Sequence, residues 1–432
     1  MDYKQSRKFV KDAEQYGSVL GLDNMISLME QLGNPQDDLH IVHIAGTNGK
    51  GSTIAYLYSI LQEAGYKVGR YVSPTLYNYR ERIEVNGKAI SYNDFASCIT
   101  RIADAIPKMK GENIAHPTPF EIETAAAFLH FKDKDVDIVL LEVGMGGATD
   151  ATNIIKAPEL CVITSISMDH MSFLGNTLAD IASVKAGIIK SGSLVVTMKQ
   201  PKEVMEVLEN VCRERSASLV VADANEGEIV QESYEGQTFW YQGNNFTIPL
   251  AGKYQFENAV LAIQAARLLS HNGFPNTMQQ RIDGLSKTKW NGRFTTIHKE
   301  PLFIVDGAHN PAAADMLAKS LHQYFRGKDI YFIMGVFADK DYRSVIEKTS
   351  HFAKHIIAIE TPDNPRALPA EKLAEVLSEY HPSVESADSI KAAVNRAFEM
   401  AKPKDVIIAF GSLSFIGKMT RVIKQREKDL NR

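Results

Sequence analysis

The stretch HIAGTNGKGS, residues 43–52, sets Gly46, Gly49 and Gly51 around a single lysine, Lys50. Glycines let backbone N–H groups close on an anion with no Cβ in the way, and the lysine adds charge, so residue types in this pattern grip phosphate. The spacing departs from the common loop G-x-x-x-x-G-K-[ST]: Ile44 stands where the first glycine belongs, Gly51 follows the lysine, and Ser52 comes one place late. Further groups able to handle phosphate or a hard cation follow: Glu142 in LLEVGMGG, His170 in MDHMSFLG, Lys185 in ADIASVKAG, Arg293 in WNGRF, and Asp306 and His309 in FIVDGAHNP. Taken singly, each has a plainer reading. A glutamate ending a strand is usually solvated, a lone histidine sits at a surface or core edge, a helix lysine is exposed, and Asp306 before Pro311 reads as an Asx turn and helix cap.

Such groups need a frame to converge. Short branched-residue runs recur at 39–46 (LHIVHIAG), 136–144 (VDIVLLEVG), 160–166 (LCVITSI) and 193–198 (SLVVTM). Runs of this kind predict parallel strands covered on both faces by helices. Ile54, Leu57, Tyr58 and Leu61 repeat at helical spacing, so a helix is expected to start at the Gly–Lys loop. Residues 218–250 mix strand formers with Gly, Asn and Asp turns and predict a small antiparallel insertion, followed by the helical YQFENAVLAIQAARLL. From about 300 a second series begins, with PLFIVDGAHNP, DIYFIMGVF, HIIAIE and DVIIAFGS as strands. The expected fold class is α/β: a P-loop-type parallel-sheet ATPase domain over 1–290 with the antiparallel insertion, then a Rossmann-like α/β domain over 297–432. The boundary is expected in SKTKWNGRFTTIHKE, residues 286–300, which is polar and without long periodicity.

Bulk properties narrow the function. A chain of 432 residues exceeds the size at which one core keeps growing, so two domains are expected. Lysine plus arginine number 48 against 52 acidic residues, a net charge of -4 that gives no broad pull toward nucleic acid or anionic membrane. Any anionic ligand must be held locally. Cys98, Cys161 and Cys212 are few and scattered, which fits a reducing compartment rather than a disulfide framework or cysteine metal site. No run approaches the roughly 20 apolar residues of a membrane span, and the first residues lack a signal-peptide core. The expectation is a soluble cytoplasmic protein with no nucleic-acid or membrane partner.

Eight motifs occur in order: GTNGKGS, the Ser-Pro of YVSPTLYNYRERI, EVGMGGATDATN, SISMDHMSFLG, SVKAG, FENA, WNGRF and DGAHNP. This ordered set, spanning about 40 to about 312, resembles the folylpolyglutamate synthases and dihydrofolate synthases, members of the Mur-type ligase group. The resemblance implies ATP and two Mg²⁺ ions, an acyl phosphate made by γ-phosphoryl transfer to a carboxylate, and attack by the amine of L-glutamate. The acceptor would be a tetrahydrofolate, dihydropteroate, or both.

It also implies roles. Gly46, Thr47, Asn48, Gly49, Lys50, Gly51 and Ser52 would hold the phosphates; Ser52, Ser73, Glu142, His170 and Lys185 would surround the metals. Lys185 matches a lysine often carbamylated in the Mur-type group. Lys50, Glu142, His170, Lys185 and His309 form the expected catalytic set, Asn258 would face adenine, and Arg293 and Asp306 would reach the triphosphate or ribose. In HPTPFEIETAAAF, Thr118, Pro119, Phe120 and Glu121 would line a pterin pocket with Thr149, Asp150 and Ala151, while Arg82 would hold a carboxylate. Ala148 and Thr75 depart from many relatives, at the pocket rim. A monomer is expected. The alternatives are another Mur-type ligase acting on a nucleotide-linked cell-wall precursor, and a P-loop kinase or nucleotide-binding regulator whose C-terminal unit is an interaction module.

Overall fold

A computed structural model of the chain describes residues 1–17, 21–110, 114–169 and 171–430. Its seventeen described strands are β1 (Ile41–Ala45), β2 (Val68–Tyr71), β3 (Ile83–Val85), β4 (Lys88–Ala89), β5 (Ile138–Glu142), β6 (Leu160–Ile163), β7 (Leu194–Met198), β8 (Ser218–Ala222), β9 (Gly227–Ser233), β10 (Gly236–Tyr241), β11 (Asn244–Ile248), β12 (Thr295–Lys299), β13 (Leu302–Val305), β14 (Ile330–Met334), β15 (His355–Ile359), β16 (Val384–Ala387) and β17 (Val406–Phe410).

The first sheet has the order β4-β3-β2-β5-β1-β6-β7-β8, parallel from β2 to β8 with an antiparallel edge at β3 and β4. β1 lies at its centre, paired to β5 and β6. The loops leaving β1, β5 and β6 therefore open side by side, the place where doubly wound sheets bind ligands. The third sheet, β12-β13-β17-β14-β15-β16, repeats the arrangement with only β12 antiparallel. Between them in sequence stands the three-stranded β11-β10-β9.

The mixed α/β class expected from the sequence is observed, with three differences. β8 (218–222) joins the parallel sheet, so the antiparallel unit is shorter than 218–250 and covers β9 to β11. β12 falls inside the stretch expected to be a linker, where its polar TTIHK hides a half-buried edge strand. β2, β3, β4 and β16 gave no clear signal because they are short and carry Gly, Arg, Lys or Glu.

Branched residues bury both faces of the first sheet. One face packs Val42, Ile44, Leu140 and Val162 against the helices Lys50–Glu63 and Lys253–His271; the other packs Ile41, Val139 and Leu141 against Pro119–Asp133. Each such side chain contributes roughly 1.5–3 kcal/mol when fully buried. The helix Lys50–Glu63 is buried nearly all round, from Ser52 to Tyr58 and again at Ile60 and Leu61, because the helix Met278–Ser286 closes its outer side. Gly284 makes that closure possible: a Cβ there would lie 2.5 Å from Ile60 Cα. Replacing Gly284 with alanine is expected to cost about 1–3 kcal/mol through forced separation of the helices. Urea unfolding measures it, and an unchanged midpoint contradicts this packing.

Candidate active site

The glycine-rich loop of residues 46–49 runs from the end of β1 into the helix Lys50–Glu63, whose N-terminus aims backbone N–H groups and a partial positive charge at any anion there. Its glycines have identifiable causes. Gly46 (φ 150°) lies so close to Thr164 that a Cβ would overlap its hydroxyl, and Gly49 (φ 90°) would set a Cβ 2.4 Å from Asn258 Oδ1. Gly51 faces the Trp290 ring in the same way. Thr47 N–H donates to Ser165 O at 2.8 Å, and Lys50 Nζ donates to Gly46 O at 3.2 Å and Thr47 O at 3.4 Å. Ser52 is buried and accepts from Gln255 Nε2 at 3.2 Å.

Glu142 ends β5 with its carboxylate buried, one oxygen accepting the Ser73 N–H at 3.1 Å and the other 3.9 Å from Lys50 Nζ. Burial raises its pKa, and Lys50 pulls it back. Lys185, near the end of the helix Leu178–Ala186, is 5% exposed and donates to Gly46 O at 2.9 Å. Burial first, then repulsion by Lys50, lowers its pKa to about 7. His170 lies outside the described residues, and no cluster of three His, Cys, Asp or Glu suited to a metal occurs among the described residues. The donors present still fit Mg²⁺, which takes one or two carboxylates, keeps several waters and shares phosphate oxygens. Glu142 offers a buried hard carboxylate at the mouth of the phosphate loop, beside Ser73.

The C-terminal sheet brings its own groups to the same point. Asp306, just beyond β13, accepts N–H bonds from Phe294 and Ala308, both at 2.8 Å, and burial raises its pKa. His309 uses Nδ1 on Gly307 O at 2.7 Å, which leaves Nε2 facing Asp169 at 3.8 Å; burial above all lowers its pKa to about 4, so the ring is neutral at pH 7. Asp169 receives Lys340 Nζ at 2.7 Å and Asn310 Nδ2 at 3.1 Å, and Asn310 also donates to Asn48 Oδ1 at 3.2 Å. These bonds tie the two sheets across the phosphate loop.

Clefts meet at this junction. One of about 840 Å³ is lined by Asn48, Gly49, Ser52, Tyr254, Asn258 and Met316. It leads to a polar centre with Lys50, Glu142, Lys185, Asp169 and His309. Another is lined by Thr118, Phe120, Glu121, Thr149, Asp150 and Ala151, with Ser73 at its inner end. Thr118 caps the helix Pro119–Asp133, with Pro119 as its first residue, and Glu121 returns a bond to the Thr118 N–H; burial raises the Glu121 pKa. A further cleft, lined by Arg70, Leu76, Tyr77, Glu81 and Trp290, opens beside Ser73 and Glu142. Arg293 borders the first, second and last of these.

Most of the residues singled out in the sequence therefore lie together. Arg82 does not join them: its guanidinium is half of a buried pair with Glu123 and stands 4.9 Å from the Tyr79 ring centre, so the carboxylate it holds is internal. Asp169, Lys340, Asn310 and Trp290 were missed. Asp169, Asn310 and Trp290 lie inside the quoted motifs SISMDHMSFLG, DGAHNP and WNGRF, and Lys340 follows β14 in FADKD, a charged turn with no distinguishing spacing.

A Mur ligase middle domain matches residues 44–266, and a Mur ligase glutamate ligase domain matches 292–413. The chain is 34% identical over 434 residues to the dihydrofolate synthase/folylpolyglutamate synthase of Bacillus subtilis, covering 98% of this chain and 99% of that one. It belongs to the folylpolyglutamate synthase/dihydrofolate synthase family of Mur-type ligases. The folylpolyglutamate synthase of Lacticaseibacillus casei is 30% identical, with 96% of each chain covered. The Mycobacterium tuberculosis folylpolyglutamate synthase complexed with ADP and AMPPCP superposes with a TM-score of 0.87 at 29% identity, covering 98% of this chain and 99% of that one. E. coli FolC in complex with DHPP and ADP gives 0.85 at 29% identity, with 98% of each covered. The chain is thus an ATP-dependent ligase by family.

For this ligase, Lys185 carries a linkage prediction. Its pKa of about 7 lies below the ordinary 10.5, so between those values the unfolded chain binds more protons and stability rises with pH. Without nucleotide or metal, urea unfolding at pH 7 and pH 9 is expected to show a gain that Lys185→Met reduces. Equal gains in both proteins contradict a neutralised Lys185.

Proposed function

We propose that the enzyme uses ATP and Mg²⁺ to join the amine of L-glutamate to the carboxylate of a pterin-bearing acceptor, a tetrahydrofolate, dihydropteroate or both. The observation that carries this reading is a polar cleft that shares Asn48 and Arg293 with a partly apolar cleft on one side, and Ser73 with a cleft that has an aromatic floor on the other. The first suits a nucleotide, with Asn258 and Tyr254 toward the base and the 46–52 loop on the phosphates. Phe120 gives the acceptor ring a platform, with Glu121, Thr149 and Asp150 as polar edges.

Within that arrangement, Lys50, Arg293 and the N-terminus of Lys50–Glu63 hold the outer phosphates, Arg293 with a planar fork suited to phosphate oxygens. The acceptor carboxylate, led in past Ser73, lies in line with the terminal phosphorus. Proximity and charge compensation then bring about transfer, since phosphoryl transfer asks little covalent help of the protein. The acyl phosphate that forms is attacked by the glutamate amine and releases phosphate. Glu142, Ser73 and Ser52 would hold Mg²⁺, which when bound neutralises phosphate charge. Neutral His309, bare at Nε2, would accept a hydrogen bond from the incoming amine and orient it.

Lys185 belongs to this reading as a carbamate. A pKa of about 7 leaves a large neutral fraction at pH 8, the form that adds CO₂. Growth of a carbamate signal with ¹³C-bicarbonate, absent in Lys185→Ala, is expected by NMR; identical spectra contradict it. The site is built wholly within one chain, which supports a monomer. Three buried free thiols, and no described helix long and apolar enough to cross a membrane, support a cytoplasmic location.

Purified protein with ATP, Mg²⁺, glutamate and each acceptor in turn is expected to yield glutamylated product and ADP together. Lys50→Ala is expected to lower kcat by about 100-fold or more. No product from either acceptor contradicts the reading.

A further inference from the structure

His43 lies in the middle of β1, wholly buried in a strand otherwise made of Ile41, Val42, Ile44 and Ala45. An aliphatic side chain would fill that place without desolvating two ring nitrogens. Among the described residues Nδ1 has no hydrogen-bond partner, so the bond made by Nε2 is what offsets the burial of the ring. Nε2 lies 2.9 Å from Thr152 Oγ1, and that hydroxyl donates to Asp150 Oδ1 at 2.5 Å. A hydroxyl has one proton; given to the carboxylate, it leaves Thr152 as acceptor toward His43, whose Nε2 therefore carries the hydrogen. Burial keeps the ring neutral, its pKa lowered to about 3.

Asp150 also accepts the Thr152 N–H at 3.0 Å and the Met145 N–H at 2.8 Å. Gly144 and Met145 wall both the Phe120 cleft and the polar centre. An unbroken chain of bonds thus runs from the strand that feeds the phosphate loop, three residues before Gly46, to the wall against which the acceptor would lie.

We propose that His43 is a positioning residue: acting through Thr152, it holds Asp150 and the Gly144–Met145 segment in the shape that seats the acceptor beside the phosphate loop. This rests on reading the Phe120 cleft as the acceptor pocket. His43 touches no reacting atom. The Asp150 carboxylate, filled by donors from its own chain, acts mainly by fixing the wall.

Thr152→Val keeps the side-chain volume and removes both bonds of the hydroxyl. In the full-length enzyme it is expected to raise the acceptor KM about tenfold, with the KM for ATP within about twofold and the melting temperature retained, and Thr152→Ser restores the acceptor KM. His43→Leu breaks the same chain independently and is expected to show the same split, so the test survives if one variant fails to fold. An unchanged acceptor KM, or a fall in kcat with both KM values unchanged, overturns the proposal. Phe120→Ala separates it from the reading beneath it. If that change too leaves the acceptor KM unmoved, the cleft is not the acceptor pocket; if it raises KM while Thr152→Val does not, the pocket stands and the positioning role falls.

Discussion

Anions must be pressed together at one point in this molecule, and the rest of the structure answers that constraint. Two unit charges 4 Å apart repel by about 4 kcal/mol at an effective dielectric of about 20, and the proposed reaction brings a triphosphate against a carboxylate. Glu142 adds a buried carboxylate of its own. Cations come from different parts of the chain: Lys50 from the loop after β1, Arg293 from the connector before β12 and Lys340 from the turn after β14. No one element carries enough charge, so the site exists only where the two sheets meet.

The meeting is held by polar bonds. Asn310 joins Asn48 and Asp169, Lys340 joins Asp169, and Tyr324 accepts the Gly252 N–H at 3.1 Å. Bonds of this kind each contribute modestly, and the Tyr234 and Phe325 rings, 6.0 Å apart, add an apolar contact between the same parts of the chain. The helix Lys50–Glu63, by contrast, is locked in the core on nearly every side, so the phosphate loop at its start has a fixed base.

How much of this could be read from the sequence follows from where each residue's signal resides. The strand runs at β1, β5, β6 and β7 were plain because both faces are buried and nearly every residue is apolar. β12, with TTIHK at an edge, offered no such contrast. Gly46, Gly49 and Lys50 announced a phosphate loop by type alone, but the reason for the altered spacing lies elsewhere: Thr164, Asn258 and Trp290 press on the loop, and Ile44 is needed in the strand core. Arg82 looked free for a substrate because its partner Glu123, 41 positions on, is visible only once the chain is folded. Lys340 and Asp169, 171 positions apart, escaped for the same reason. The ordered motifs conveyed the chemistry, while the pairing of charges required the fold.

The central claim is that the acceptor carboxylate is phosphorylated before the amine attacks. The most direct measurement uses acceptor labelled with ¹⁸O in that carboxylate and follows the label by mass spectrometry or ³¹P NMR. Passage through an acyl phosphate predicts one ¹⁸O atom in the inorganic phosphate released per amide formed. Phosphate free of label, alongside normal amide formation, would contradict the account.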